Sequence, residues 1–228
     1  MKLTLIRHAQ SERNRNIKGD HFYADASQKL GTPNHLIKIT DLGESQAREV
    51  AERLFQTSLM EGKGLPSVLL HSGYERAKTT AEIILKEVKL FGKKNNIFVN
   101  TTLEQDHLIR ERDSGYGIEM THGESRNHFP FLEEYWGLDG TWFAVPPGGE
   151  SVVQVMDRVS TFLVKLSMNK NLEGKHIWAV SHGRTMSAFQ MVVEKIPFEK
   201  ADELVIRPKN CATAEYEFEC GVWKSVKN

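Results

Sequence analysis

The chain has 228 residues, and its 30 lysines and arginines balance 30 aspartates and glutamates to a formal net charge of +0. This balance argues against nucleic acid or a membrane surface as a partner, because both attract proteins with a basic surplus. No apolar run approaches the ~18 residues that span a membrane, and no signal-peptide core follows the N-terminus. We expect one cytoplasmic domain over residues 1–228, with free thiols at Cys211 and Cys220.

Short apolar runs alternate with amphipathic stretches along most of the chain. The pattern predicts strands at 3–6, 68–71, 97–100, 177–181 and 213–218, and helices at 41–60, 74–90, 151–168 and 184–196. Strands that alternate with helices usually form a largely parallel sheet that is covered on both faces. The predicted fold class is therefore α/β, a three-layer α/β/α sandwich with a mostly parallel central sheet.

Three predicted helices begin with residue pairs at the spacing of a capping box. The pairs are Asp41 with Glu44, Ser72 with Glu75, and Ser151 with Gln154. In this motif the side chain of the first residue accepts a hydrogen bond from the backbone N–H three residues later. The side chain of the second residue accepts one from the backbone N–H of the first. We expect each pair to fix the first turn of its helix.

Two segments interrupt the alternation of strands and helices. Residues 15–38 are polar, and residues 113–148 are rich in glycine, histidine and aromatic residues. Long ordered segments of this kind in a compact domain tend to be functional. We expect both insertions to act as lids or walls of a substrate site.

Four groups of polar residues follow predicted strands. They are Arg7-His8, Ser72 to Arg76, Arg110-Glu111-Arg112-Asp113, and Ser181-His182-Gly183. In an open α/β sheet the carboxyl ends of the strands form the ligand-binding edge. We therefore expect the four groups to converge on one site that contains two histidines, several arginines and at least one carboxylate.

This set of side chains is suited to phosphoryl transfer. Guanidinium groups and backbone N–H groups bind the oxygens of a transferring phosphoryl group, and a helix N-terminus at Gly183 adds donors. A neutral imidazole can attack phosphorus, and a carboxylic acid can protonate the leaving oxygen. The sequence contains neither a Walker A motif nor a metal-binding motif, so we expect no metal and no cofactor.

Each group taken alone also has an ordinary structural interpretation. Arg7-His8 alone is most often a surface pair or a core histidine, and Ser-His-Gly before a helix is most often a cap. The charged run at 110–113 is most often solvated, as is an arginine in the first turn of a helix. The order and placement of all four groups together favour the functional interpretation.

The same motifs resemble those of the histidine phosphatase superfamily, in its phosphoglycerate-mutase-like branch. The resemblance runs from Leu3 to about Phe218, and Ala9 stands where the family usually has glycine. The matching segments are RHAQSERN at 7–14, 39–47, SGYERAKTTA at 72–81, RERDSG at 110–115, PPGGES at 146–151 and VSHG at 180–183. Histidine-glycine at 182–183, in place of histidine-aspartate, argues against the acid-phosphatase branch.

The resemblance implies roles for the catalytic residues. His8 would be the nucleophile that becomes phosphorylated, and Arg7, Arg76 and His182 would surround the phosphoryl oxygens. Glu111 would give a proton to the leaving group and later activate water. Three other acids remain alternatives for that role, namely Glu104, Asp106 and Asp113.

The resemblance also implies contacts to a small phosphorylated substrate. Asn14 would be a further donor to the phosphoryl group, and Arg112 would bind the rest of the molecule. Gln10 and Gly183 complete the predicted substrate-binding set. Glu150 is expected to be structural.

Three functions are compatible with these residues. The first is hydrolysis of a small phosphomonoester without a metal, through a phosphohistidine on His8. The second is a phosphoglycerate mutase dependent on 2,3-bisphosphoglycerate, which needs extra basic residues after the acid. Residues 114–148 contain one arginine, Arg126, and no lysine, which favours the hydrolase. The third is a non-catalytic protein that binds a phosphorylated ligand. The sequence leaves the oligomeric state open.

Overall fold

A six-stranded sheet lies at the centre of the protein, which we describe from a computed structural model for residues 1–17 and 22–226. The strands are β1 (Lys2–Arg7), β2 (Val68–His71), β3 (Thr102–Gln105), β4 (His176–Ser181), β5 (Thr213–Glu219) and β6 (Val222–Ser225). Their spatial order is β3-β2-β4-β1-β5-β6. The first four strands are parallel to one another, whereas β5 and β6 are added as an antiparallel edge.

Helices cover both faces of this sheet. They are α1 (Glu12–Asn16), α2 (Asp41–Met60), α3 (Glu75–Lys94), α4 (His122–His128), α5 (Leu132–Phe143), α6 (Val152–Met168), α7 (Gly183–Glu194) and α8 (Ala201–Leu204). α2 and α3 pack on one face and α6 and α7 on the other, so the prediction of a three-layer α/β/α sandwich is confirmed. None of the helices in the described ranges is long and apolar enough to cross a membrane.

Alternating side chains of the central strands divide the core in two. In β4, Ile177 and Ala179 face the α6 and α7 layer, whereas Trp178 and Val180 face the α2 and α3 layer. All four side chains are fully buried. This two-residue period on a sheet that is buried on both faces explains why β4 has a continuous apolar sequence.

The helix starts only partly follow the predicted capping boxes. Ser151 and Gln154 form the expected reciprocal bonds at the start of α6. The N-cap of α2 is Thr40, whose hydroxyl accepts from the backbone of Gly43, one position before the predicted Asp41. Ser72 does not cap α3, because Gly73, with φ of +88°, turns the chain so that the helix begins later.

The strand predicted at 97–100 is wrong. Ile97 and Val99 instead pack on the α2 and α3 layer and close the end of α3, where the Ile97 amide donates to the Gly92 carbonyl at 2.8 Å. The edge strand β3 starts at Thr102 and has mostly exposed side chains. An exposed edge strand lacks an apolar run. The neighbouring segment 97–100 contains Ile97 and Val99, so the apolar pattern predicts the strand there instead.

The second hairpin strand, β6, was not predicted. It pairs antiparallel with β5 through the turn at Cys220 and Gly221, both of which have positive φ. The side chains of β6 are exposed or half-buried, so the apolar signal is weak. Cys211 and Cys220 are free thiols, as expected.

The two insertions lie against each other. Tyr23 and Thr121 form an isolated parallel β-bridge, and the Tyr23 amide donates to the Met120 carbonyl at 3.0 Å. Lys29 and Glu124 add an ion pair between the two segments. Residues 18–21, which belong to the first insertion, lie outside the described residues.

Candidate active site

The carboxyl ends of three neighbouring strands bring the predicted residues together. Arg7 at the end of β1 is in register with Ser181 at the end of β4, and the His8 amide donates to the Ser181 carbonyl at 2.9 Å. His182 follows in the chain, and its ring centroid lies 5.0 Å from that of His8. β2 flanks β4 on its other side and leads into α3, which carries Arg76 in its first turn.

His8 is held as a neutral imidazole with one nitrogen free to attack. Burial lowers the pKa of His8 well below its usual range, and the Arg76 and Arg7 charges lower it further. The Nδ1 atom lies 2.7 Å from the carbonyl oxygen of Ala9, an oxygen that can only accept. The proton therefore resides on Nδ1, and Nε2 carries the lone pair.

Ser72 contacts His182 at the base of the site. Its hydroxyl lies 2.7 Å from Nε2 of His182 and accepts from the Tyr74 amide at 3.3 Å. Burial and neighbouring cations lower the pKa of His182 well below its usual range, so this ring is also neutral. We assign the Ser72 hydroxyl as the donor to Nε2, which places the ring proton of His182 on Nδ1.

Two buried donors have no hydrogen-bond partner among the described residues. They are Nδ1 of His182 and Nε of Arg7. Unpaired buried donors are costly, and they are rare outside sites that a ligand completes. Their presence next to His8 fits a site that binds the oxygens of an anion.

Arg76, which is buried, and Arg7, which is half-buried, supply positive charge beside His8. Burial lowers the pKa of Arg76 to about 10, although the Glu111 carboxylate opposes this effect. The Arg76 guanidinium donates to the Asn34 carbonyl at 2.6 Å, which ties the first insertion to the site. Arg7 donates to the Pro208 carbonyl at 2.7 Å. Both guanidinium groups are thus fixed before a ligand binds.

Glu111 lies on a loop whose preceding backbone is pinned at three consecutive carbonyls. Arg158 donates to Leu108, Ser181 to Ile109 and Thr185 to Arg110 at 2.7, 2.9 and 2.6 Å. The Glu111 carboxylate itself accepts from the Arg112 amide at 2.9 Å. A loop residue that is anchored in this way can be positioned as accurately as one on a strand.

Glu150 holds the same loop in place through ion pairs and a hydrogen bond. It pairs with Arg158 at 3.2 Å and with Arg110, and it accepts from the Asp113 amide at 3.1 Å. The Arg158 side chain is only 8% exposed. Glu150 does not line the cavity, so the geometry supports the structural role expected for it.

Most of the predicted residues, with the exception of His182 and Gln10, line two adjoining chambers that share part of their walls. The first chamber has a volume of 180 Å³ and contains Arg7, His8, Arg76 and Glu111 in its walls. Further lining residues of this chamber are Ser11, Arg13, Asn14, Asn34, Arg112, Ser114, Ile118 and Arg184. The second chamber, of 240 Å³, shares five of these residues, among them Glu111, and adds Gly183.

The predicted substrate contacts fall into three classes. Asn14 and Arg112 line the first chamber, and Gly183 lines the second. The Asn14 side-chain oxygen accepts from Asn210 at 3.1 Å, which orients its amide. Gln10 lines neither chamber, because its side-chain oxygen accepts from the Thr40 hydroxyl at 2.8 Å at the start of α2.

The alternative acids lie away from the cavity. Asp106 caps the short 3-10 helix His107–Ile109 and pairs with Lys165 at 2.7 Å. Asp113 accepts from the Gly115 amide, and Glu104 is exposed on β3. Among the carboxylates that the structure describes, Glu111 lines both chambers, and these three line neither.

Sequence reasoning missed several residues of the cavity wall. Arg13, Asn34, Ser114, Ile118 and Arg184 all line the first chamber. Arg13 lies inside the motif around His8, and Arg184 directly follows the motif around His182. Both positions could therefore be predicted from the sequence. Asn34, Ser114 and Ile118 belong to the two insertions, where no periodic pattern locates a side chain.

The described residues contain no group of three or more histidine, cysteine, aspartate or glutamate side chains that could hold a metal ion. The charged groups next to His8 in the first chamber include the guanidinium groups of Arg7 and Arg76, which bind anions and repel cations. The arrangement is suited to an anionic group that is attacked by Nε2 of His8 while Glu111 faces it.

Comparison with known proteins identifies the family of the chain. A family model described as the histidine phosphatase superfamily, branch 1, matches residues 3–228. A 2,3-bisphosphoglycerate-dependent phosphoglycerate mutase of Azorhizobium caulinodans is 27% identical over 195 residues, covering 85% of this chain and 82% of the relative. A phosphoglycerate mutase-like protein of Arabidopsis thaliana is 31% identical over 206 residues, covering 82% of this chain and 64% of the relative.

Solved structures share the fold. A putative alpha-ribazole-5'-P phosphatase from Escherichia coli superposes with a TM-score of 0.73 at 19% identity, covering 99% of this chain and 94% of the other. A mycobacterial glucosyl-3-phosphoglycerate phosphatase in complex with VO3 superposes at 0.67 with 22% identity, covering 99% and 96%. Since the family model spans the chain from residue 3 to residue 228, the protein belongs to the histidine phosphatase superfamily.

Proposed function

We propose that the protein hydrolyses a small phosphomonoester through a phosphohistidine at Nε2 of His8. The observation that carries this proposal is the hydrogen bond from Nδ1 of His8 to the Ala9 carbonyl, which leaves Nε2 unprotonated. The lowered pKa of His8, which burial and the Arg76 charge produce, keeps the ring neutral at physiological pH. A permanently neutral, oriented imidazole beside two guanidinium groups is the arrangement that a phosphoryl-accepting nucleophile needs.

In the first step, Nε2 of His8 forms a bond to phosphorus and the bond from phosphorus to the ester oxygen breaks. The Glu111 carboxyl group transfers its proton to that oxygen, so the alcohol leaves neutral. Arg7 and Arg76 balance the charge on the phosphoryl oxygens, and Nδ1 of His182 donates to one of them.

In the second step, water replaces the alcohol. The Glu111 carboxylate accepts a proton from the water as its oxygen attacks phosphorus, and the nitrogen–phosphorus bond breaks. Inorganic phosphate leaves, and both His8 and Glu111 regain their starting protonation. The nucleophile, the proton donor and the two guanidinium groups are all in the wall of the first chamber, whereas His182 lies buried behind His8 and lines neither chamber.

The mutase alternative is favoured less because the second insertion brings no cation to the cavity. Arg126 is the one arginine of residues 114–148, and it pairs with Glu133 on the surface with two thirds of its side chain exposed. A mutase must retain its bisphosphate and exclude water from the phosphohistidine. The insertion residues that do line the cavity, Ser114 and Ile118, carry no charge.

The test is to follow phosphorus in products. Wild-type protein is incubated with p-nitrophenyl phosphate and with 3-phosphoglycerate, the latter with and without 2,3-bisphosphoglycerate, and ³¹P spectra record free phosphate and isomerised phosphoglycerate. We expect phosphate release to exceed isomerisation. His8→Asn should lower kcat by about 10⁴-fold or more while leaving the fold intact, because the nucleophile is lost.

His128→Asn is the matched control, because His128 is exposed on α4 and lies outside both chambers. Isomerisation with little phosphate release would reassign the protein as a mutase. Binding of vanadate without turnover of any substrate would reassign it as a binding protein. Full activity in His8→Asn would exclude the phosphohistidine.

A further inference from the structure

The second chamber of the cavity carries positive charge that the proposed phosphoryl transfer does not use. Its walls include Arg184 in the first turn of α7 and Arg207 on the segment between α8 and β5. Neither guanidinium has a hydrogen-bond or ion-pair partner among the residues that the structure describes. Cations without partners at the wall of a cavity are available to an anionic ligand.

The charges around Arg184 are mutually repulsive. Burial lowers the pKa of Arg184, and the neighbouring Arg112 and Arg207 charges lower it further. Glu111 and, more weakly, Asp202 oppose this effect. Since the Glu111 carboxylate is shared with Arg7, Arg76 and Arg112, it cannot also balance both Arg184 and Arg207. An anion in this chamber would relieve the repulsion.

The position of Glu111 shows which part of a substrate would enter this chamber. Glu111 lines both chambers, and the proton that it donates goes to the ester oxygen of the substrate. When the phosphoryl group is at His8, an ester oxygen that receives this proton lies near Glu111, at the boundary between the two chambers. The organic part beyond that oxygen then extends toward Arg184 and Arg207.

We propose that the substrate carries a second anionic group, a phosphate or a carboxylate, which Arg184 and Arg207 bind in the second chamber. This inference rests on the proposed function, since it assigns the leaving-group side of the same site. Forked guanidinium groups are matched to both kinds of oxyanion. The apolar residues Ile17 and Pro208 in the same chamber would contact the carbon chain between the two groups.

Three substrates of equal chain length test the proposal. Propyl phosphate has a methyl group at its far end, 3-phosphooxypropanoate has a carboxylate there, and propane-1,3-diol bisphosphate has a second phosphate. We expect kcat/KM to be about 10-fold or more higher for an anionic substrate than for propyl phosphate, since hydrogen bonds to charged groups are strong. A preference for the bisphosphate identifies phosphate as the second group, and a preference for the propanoate identifies carboxylate.

Variants assign the effect to the chamber. Arg184→Gln and Arg207→Gln should each raise KM for the preferred anionic substrate about 10-fold. Arg207 lines the second chamber and not the first, so Arg207→Gln should also change kcat and the turnover of propyl phosphate little. Lys209→Gln is the matched control, because it removes one positive charge from the same segment but lies outside the second chamber. It should leave all three substrates unaffected.

Failure of this proposal is distinguishable from failure of the proposed function. Equal kcat/KM for the three substrates, with unchanged KM in both arginine variants, would overturn the second anion site while phosphate release continues. Absence of phosphate release from all three, and from p-nitrophenyl phosphate, would instead overturn the hydrolase assignment. Loss of propyl phosphate turnover in Arg207→Gln would place that residue in the phosphoryl site and also overturn the proposal.

Discussion

The two sides of the cavity are built differently. The side around His8 consists of residues at strand ends and in the first turns of long helices, with buried side chains and short hydrogen bonds. The opposite side consists of loop residues such as Asn34, Ser114, Ile118 and Arg207, which are half-buried or exposed. The first side fixes the chemistry, whereas the second determines which molecule is accepted.

Glu111 lies on the loop-built side but has a chemical role. It can do so because Arg158, Ser181 and Thr185 pin the loop to the sheet-borne side. The difference between the two sides is therefore a matter of anchoring and not of secondary structure alone. Variants that remove one anchor or one reacting group at a time therefore test this difference.

After the loss of the nucleophile in His8→Asn, the largest effect is expected for Glu111→Gln, which keeps the shape of the side chain and removes its acid. We expect kcat/KM for an alkyl phosphate to fall about 10²–10⁴-fold, because the leaving alkoxide then departs without a proton. The decrease should be much smaller for p-nitrophenyl phosphate, whose leaving group needs no proton. Steady-state kinetics with the two substrates measure kcat/KM, which reports the first step and not the later hydrolysis of the phosphohistidine, and an equal loss of kcat/KM for both would remove Glu111 from the acid role.

The next effect concerns the anchor of the loop. Glu150→Ala leaves the buried Arg158 without its carboxylate partner, and breaking such a pair costs about 3 kcal/mol of the free energy of unfolding. Urea unfolding measures this change. Glu133→Ala is the control, because Glu133 pairs with Arg126 at an exposed site, where the loss is about 0.5 kcal/mol. Equal losses would mean that Glu150 does not anchor the loop.

The sequence predicted the sheet-borne side better than the loop-built side, and the reason is physical. β1 and β4 are buried on both faces, so their apolar runs and the polar residues that end them are visible in the sequence. Arg7, His8 and His182 follow directly from those ends. Arg207 and Asn34 reach the cavity through irregular loops, whose paths no periodicity encodes.

The position of Ser72 differs from its predicted role for another reason. The sequence predicts a helix cap, since serine and glutamate have the spacing of a capping box, but the positive φ of Gly73 redirects the chain. The hydroxyl thereby reaches His182. Local motifs describe only hydrogen bonds to nearby backbone, so a bond to a residue 110 positions away is invisible to them.

Ser72→Ala tests whether this bond positions His182. We expect kcat to fall about 10-fold, because His182 loses the donor that keeps its ring proton on Nδ1. Nitrogen NMR of labelled histidine should show the proton of His182 moving from Nδ1 to Nε2, a change that a purely structural role would not produce. Ser72→Thr retains the hydroxyl and should restore the wild-type tautomer. An unchanged tautomer in Ser72→Ala would contradict the assignment.

The dependence of stability on pH is a further effect, to which the two buried histidines of the sheet-borne side contribute. Burial lowers the pKa of both His8 and His182, so acid protonates these residues in the unfolded chain before it does so in the folded protein. Stability is therefore complete above the unfolded pKa of about 6.5 and falls as the pH drops below it. Each histidine contributes up to about 1.4 kcal/mol to the loss between pH 7.5 and pH 5.5.

Urea unfolding of the wild type and of His8→Asn at these two pH values measures the contribution of His8. The variant should lose less free energy of unfolding than the wild type over the same interval, because one buried neutral histidine has been removed. An identical loss in the two proteins would mean that His8 titrates alike in the folded and unfolded chain. The hydrogen bond from Nδ1 would then not hold a neutral nucleophile, and the sheet-borne side would be no better prepared for chemistry than the loops that face it.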